Sequence, residues 1–183
     1  MSSTQTTIQL IQQPDNSLLG ETHVAFLKNL GGPSWITIEG KDRTRRRVVV
    51  TLLHGNEPSG LHAVHRLLKE GVQPETDLGI LVAAADAALY EPILSHRYIP
   101  GEQDLNRCFR SPYTTNQGEL AAKILDIIHD FNPEGLIDTH NTSSHSEAFS
   151  IAAHKTIENA GLASLFTDSL IILDQNLGTL LEK

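Results

Sequence analysis

Residues 45–53, with Val48, Val49 and Val50 in succession, constrain this chain most. A nearly unbroken β-branched run has no polar face to offer water, so it reads as a strand covered on both faces, as in the parallel sheets of α/β proteins. A helix should follow. Pro58 suits a first helical turn, Leu61, Val64, Leu67 and Leu68 recur at helical spacing, and Gly71 closes the segment. Residues 78–85 then read as a strand, 117–131 as an amphipathic helix and 136–139 as another strand. Alternation of this kind predicts an α/β fold, an open and largely parallel sheet with helices on its faces, in which ligands collect at the carboxyl ends of strands.

The flanks are less regular. Residues 148–153 and 170–173 read as short strands and 157–166 as a helix. Ahead of Thr44, residues 7–11, 23–30 and 36–39 read as strands separated by turns at Pro14-Asp15-Asn16 and Gly31-Gly32-Pro33. The 183 residues suffice for one domain with a hydrophobic core, spanning 1–183. A formal charge of −8 disfavours nucleic acid and anionic membrane as partners, because both demand a basic surface. The one basic cluster, Arg43, Arg45, Arg46 and Arg47, reads as a solvated turn leading into the Val48 strand. Cys108 is the single cysteine, so an internal disulfide and a Cys-rich zinc knuckle are both excluded. No stretch resembles a secretory signal or a membrane span, and the expected compartment is the cytoplasm.

Two of the predicted strands end in metal-ligand chemistry. His54-Gly55-Asn56-Glu57 follows the first and Asp138-Thr139-His140 the second. Two histidines and one carboxylate can hold zinc and leave its fourth position open, which separates a catalytic site from a closed structural one and points to a hydrolase. His54 and Glu57, three residues apart where strand gives way to helix, can turn toward one point, with Gly55 letting the backbone bend. His140 joins them if its strand is a neighbour; otherwise both histidines are ordinary polar residues at strand ends. Asp138 shares a strand face with His140 and either accepts the second ring N–H of a ligand histidine or serves as a strand-end cap.

The loop over residues 95–110 carries three arginines in an acidic protein. Asn106-Arg107 makes an anion clamp, a guanidinium fork beside a neutral donor, with Asp104 in place to orient Arg107; the competing reading pairs these arginines with surface carboxylates. His62 and His65 lie beside the apolar stripe of the helix after Pro58, where a solvated flank is the expectation.

Taken in order, His54-Gly55-Asn56-Glu57, Arg97-Tyr98-Ile99, Asp104-Leu105-Asn106-Arg107 and Asp138-Thr139-His140-Asn141-Thr142 resemble the succinylglutamate desuccinylase/aspartoacylase family, over about residues 44–145. The resemblance implies a zinc carboxypeptidase-like fold, three layers α/β/α around a largely parallel or mixed central sheet. It implies His54, Glu57 and His140 as ligands of one Zn2+ per chain. Arg97 would polarise the scissile carbonyl and stabilise the oxyanion, and Arg97, Asn106 and Arg107 would bind substrate, the last two holding an amino-acid carboxylate. The family's general base, a glutamate in an apolar-Glu-apolar-Gly setting well downstream, has no match after His140; Glu182, Glu147, Glu158, Asp168 and Asp174 do not fit. The domain is therefore expected to be truncated at its C-terminus, with the base beyond Lys183.

The expected activity is zinc-dependent hydrolysis of the amide bond of an N-acyl amino acid, a small substrate bearing a carboxylate. A peptidase of the same fold and a catalytically silent carboxylate-binding module are the alternatives.

Overall fold

In β-branched Val48-Val49-Val50, alternate side chains leave the sheet on opposite faces, and each face has its own core. The structure, a computed structural model, describes residues 6–142, 144–173 and 177–183. In chain order the elements are β1 (Gln9–Gln12), α1 (Asn16–Leu19), α2 (His23–Leu30), β2 (Ser34–Ile38), β3 (Asp42–Thr51), α3 (Ser59–Glu70) and β4 (Thr76–Val82). They continue with α4 (Ala85–Leu89), α5 (Asn116–Phe131), β5 (Gly135–Asp138), β6 (Ser150–Ala152), α6 (Ile157–Ala163) and β7 (Leu170–Ile172).

Five strands form a sheet in the order β1-β2-β4-β3-β5. β1 pairs parallel with β2, and β3 pairs parallel with both β4 and β5; β2 and β4 run antiparallel, so the sheet is mixed but mostly parallel. On one face Val48, Val50, Trp35 and Leu81 pack against Leu120, Ala121 and Ile124 of α5. On the other, Ile36, Ile80 and Val82 pack against Phe26, Leu27 and Leu30 of α2 and Leu61 and Val64 of α3. The result is the expected three layers. Each of these fully buried aliphatic side chains contributes on the order of 1.5–3 kcal/mol by leaving water. β6 and β7 form a separate parallel pair.

Connectivity fixes where a ligand can sit. From β3 the chain reaches its neighbour β4 through α3 on one face, and later reaches its other neighbour, β5, through α5 on the opposite face. The crossovers diverge from β3, and such a switch point opens a crevice at the carboxyl ends of the strands involved.

Several expectations change. Arg43, Arg45, Arg46 and Arg47 lie within β3, not in a turn ahead of it, and His65 is buried, not on a solvated flank. Residues 23–30 form the helix α2, not a strand: Thr22 Oγ1 caps it by accepting the Ala25 N–H, Gly31 closes it in the left-handed region, and Phe26, Leu27 and Leu30 line one helical face. β3 stops at Thr51 because Leu52 turns to φ 56°. The Pro14-Asp15-Asn16 turn opens into α1, whose cap is Asp15 accepting from the Leu18 N–H. Among the described residues, no helix is long and apolar enough to cross a membrane.

Candidate metal centre

Leu52 at φ 56° is a left-handed turn in a buried aliphatic residue, a conformation that costs about 1–2 kcal/mol and redirects the chain from β3 toward the site. Gly55 follows for a reason other than backbone freedom. A Cβ there would lie 2.5 Å from the Ala88 nitrogen and 2.8 Å from the His96 carbonyl oxygen, and its own N–H donates to the Arg97 carbonyl at 3.0 Å. The bare backbone thus lets the arginine-bearing loop lie directly against the His54 segment.

His54 and Glu57 are both buried, at 3% and 7% exposure. His140 arrives from β5, the strand paired with β3, and its ring centroid lies 4.9 Å from that of His54. One ligand atom from each of His54, Glu57 and His140 lies within 4.8 Å of the others. Glu57 is the hub: Oε1 is 2.9 Å from His54 Nδ1, and Oε2 is 2.7 Å from His140 Nδ1 and accepts the Asn141 N–H at 3.0 Å.

The far nitrogens are held in parallel fashion. His54 Nε2 faces Asp104 Oδ1 at 3.1 Å and His140 Nε2 faces Asp138 Oδ2 at 2.8 Å. A carboxylate behind each ring keeps a hydrogen on Nε2 and aims Nδ1 inward, the outer contact expected of ligand histidines. The donor set therefore fits a small divalent cation: two imidazole Nδ1 atoms and one carboxylate, converging where β3 and β5 end. Imidazole and carboxylate suit zinc and several other first-row ions.

The electrostatics follow from these contacts. Burial would lower the pKa of His140, but the hydrogen bonds its ring N–H groups donate to Asp138 and Glu57 outweigh it and raise the group to about 10. His54 is raised in the same way, burial being overcome by Asp104 and Glu57. Burial would raise Glu57, yet the N–H groups of His140, His54 and Asn141 hold it well below the usual carboxylate range. Asp104 is likewise held down, at about 2, by His54 and Arg97 against its burial.

The loop residues divide. Arg97 reaches the centre, with Nη1 3.3 Å from Glu57 Oε1 and Nε donating to Asp104 Oδ2 at 3.1 Å, while its side chain stays 40% exposed. Asp104 serves His54 and Arg97, whereas Arg107 donates Nη1–H to the Asn106 carbonyl at 2.6 Å, so the expectation that Asp104 orients Arg107 does not hold. Asn106 is buried; its Oδ1 accepts the Leu180 N–H and its Nδ2 lies 3.4 Å from His140 Nε2. Arg97 and Arg107 line a cleft of about 540 Å³ together with Tyr98, Glu102 and Gln103.

Sequence reasoning missed Asp104 as the brace of His54, and missed Ser59 and Asn141, whose side chains bond at 2.7 Å and fasten the start of α3 to the end of β5. No local pattern signals either, because each joins elements distant in sequence. Glu182 bonds the backbone N–H groups of Leu177 and Gly178 and the Thr179 hydroxyl, closing a C-terminal turn. Asp174 lies outside the described residues.

The sequence profile of the succinylglutamate desuccinylase/aspartoacylase catalytic domain matches residues 43–167, well over half the chain and inclusive of every residue of the centre. The chain belongs to this family. Solved structures of three succinylglutamate desuccinylases share its fold. The one from Chromobacterium violaceum is 20% identical with a TM-score of 0.58, the match covering 78% of this chain and 50% of that one. The one from Vibrio cholerae is 19% identical with a TM-score of 0.56, over 74% of this chain and 48% of that one. The one from Vibrio parahaemolyticus is 17% identical with a TM-score of 0.50, over 62% and 41%. This chain thus spans half or less of the length of each. No curated protein sequence matches significantly.

Proposed function

We propose that this family member is a zinc-dependent hydrolase that cleaves the amide bond of an N-acyl amino acid, with residues 1–183 contributing its metal centre and substrate clamps. The observation that carries the reading is the convergence of His54 Nδ1, Glu57 and His140 Nδ1, each imidazole backed by its own carboxylate. These three residues would hold one Zn2+. When bound, the ion supplies Lewis acidity, which lowers the pKa of water and polarises a carbonyl.

The chain's own residues do the rest. Arg97, beside Glu57 and braced by Asp104, stands where charge develops on the amide oxygen; a fixed guanidinium there compensates that charge without the reorganisation that water would need. Arg107, across the same cleft, holds the substrate carboxylate, and Asn106 beneath it sets the loop by tying its side chain to Leu180. Membership of a hydrolase family and the placing of Arg97 and Arg107 in one cleft favour a small carboxylate-bearing substrate, and the net charge of −8 disfavours a nucleic acid.

The reading is tested by metal content and substrate preference together. Protein stripped with chelator and reloaded should hold one zinc by elemental analysis, and His54→Ala or His140→Ala should abolish it. N-acyl amino acids should be hydrolysed in preference to short peptides, and Arg97→Ala should lower kcat by about 100-fold or more. Preference for peptides would overturn the substrate class, and full zinc content in both histidine variants would overturn the centre.

A further inference from the structure

The first turn of α3 lacks a cap of its own, since Pro58 stands at its N-cap and makes no side-chain hydrogen bond to it. The acceptor comes from another element. Asn141, just past the end of β5, turns its Oδ1 toward Ser59 and accepts the Ser59 hydroxyl at 2.7 Å and the Ser59 backbone N–H at 3.3 Å. A backbone N–H can only donate, so this contact sets the amide with its oxygen toward α3.

The backbone of the same residue holds a carboxylate of the metal centre. The Asn141 N–H donates to Glu57 Oε2 at 3.0 Å, the oxygen that His140 Nδ1 approaches to 2.7 Å. Ser59 follows Glu57 by two positions, and Asn141 follows His140 directly. A closed circuit results: Glu57 to Ser59 along the chain, Ser59 to Asn141 through the hydroxyl, and Asn141 back to Glu57 through its N–H. On the sheet side, Thr139 ties its N–H at 3.0 Å and its hydroxyl at 2.8 Å to the Val50 carbonyl, which pins the segment carrying His140 and Asn141 against β3.

We infer, resting on the reading of His54, Glu57 and His140 as metal ligands, that Asn141 is a positioning residue whose bond with Ser59 presets the separation of Glu57 and His140 before an ion arrives. A carboxylate and an imidazole left free to rotate lose that freedom when they close on a cation. A pair already held gives up less, and affinity gains by the difference. Contacts behind the ligands act in this way on their geometry without touching the ion. Ser59 and Asn141 are both exposed, so the bond between them contributes little to burial and acts mainly by joining the two ligand-bearing segments.

The test is zinc affinity, measured by competition with a chromophoric chelator, in the chain and its variants. Ser59→Ala and Asn141→Ala should each lower it by about 10- to 100-fold, and Ser59→Thr, which keeps the hydroxyl, should retain it. The double variant Ser59→Ala/Asn141→Ala should lose no more than the larger single loss, because both changes break one bond. A lower melting temperature with unchanged zinc affinity in Ser59→Ala would leave the bond as a helix cap only and overturn the inference, as would losses that add in the double variant. His54→Ala separates the two levels: zinc binding abolished there beside full affinity in Ser59→Ala sinks the positioning role alone, whereas binding that survives in His54→Ala sinks the metal centre and the positioning role with it.

Discussion

Asp104 shows how one carboxylate couples two functional side chains. Oδ1 faces His54 Nε2 and also accepts the Asn106 N–H, while Oδ2 accepts Arg97 Nε–H. Asp104→Asn preserves shape but removes the charge that fixes the His54 tautomer and offsets Arg97. Zinc affinity, measured by competition with a chelator, should fall by about 10- to 100-fold with little change in fold. The acid limb of stability carries the same signature. Folding depresses the Asp104 pKa from 3.8 to about 2, so its contribution, about 2 kcal/mol, is present above pH 4 and is lost as pH falls through 2. Denaturant midpoints across that window should drop more steeply in the wild type than in Asp104→Asn. At this scale the grouping of His54, Glu57 and His140 and the closeness of Asp138 to His140 were legible in the sequence, because each motif stands at the carboxyl end of a strand. The Asp104 brace was not, because a loop has no period from which to read a direction.

Elements converge on the centre through close backbone packing at the start of α3. A Cβ on Gly60 would lie 2.0 Å from Thr139 Oγ1 and 2.6 Å from Thr51 Oγ1, so the first turn of α3 lies directly on the ends of β3 and β5. Gly60→Ala should push α3 away and destabilise the fold by about 1–3 kcal/mol, read as a lower melting temperature, with weaker zinc binding because Glu57 leads into that turn. A second test falls on α2. Thr22→Ala removes the hydroxyl that accepts the Ala25 N–H and should cost about 1 kcal/mol in a chemical melt. The helix was hidden in the sequence for a related reason: residues 23–30 mix apolar and polar types at a density that fits either period, and Thr22 as a cap and Gly31 as a stop decide it only once both are weighed. β3, α3 and α5 were legible because long runs of one period outvote their exceptions. The end of β3 was set instead by the left-handed turn at Leu52, which no propensity favours.

At the scale of the whole molecule, the order β1-β2-β4-β3-β5 turns two distant motifs into neighbours. Separate cores on the two faces of the sheet hold the crossovers apart, so the ends of β3 and β5 stay open as a crevice. The alternation of strands and helices foretold this layering, but adjacency of β3 and β5 depends on which faces α3 and α5 choose, a property of the assembled sandwich. The account predicts that His54, Glu57 and His140 bind a single ion at this crevice with one coordination position facing Arg97. Anomalous diffraction from zinc-loaded crystals tests this most directly. A peak about 2.0–2.2 Å from both Nδ1 atoms and a Glu57 oxygen is the predicted result, and zinc bound elsewhere while these three residues carry no peak would contradict it.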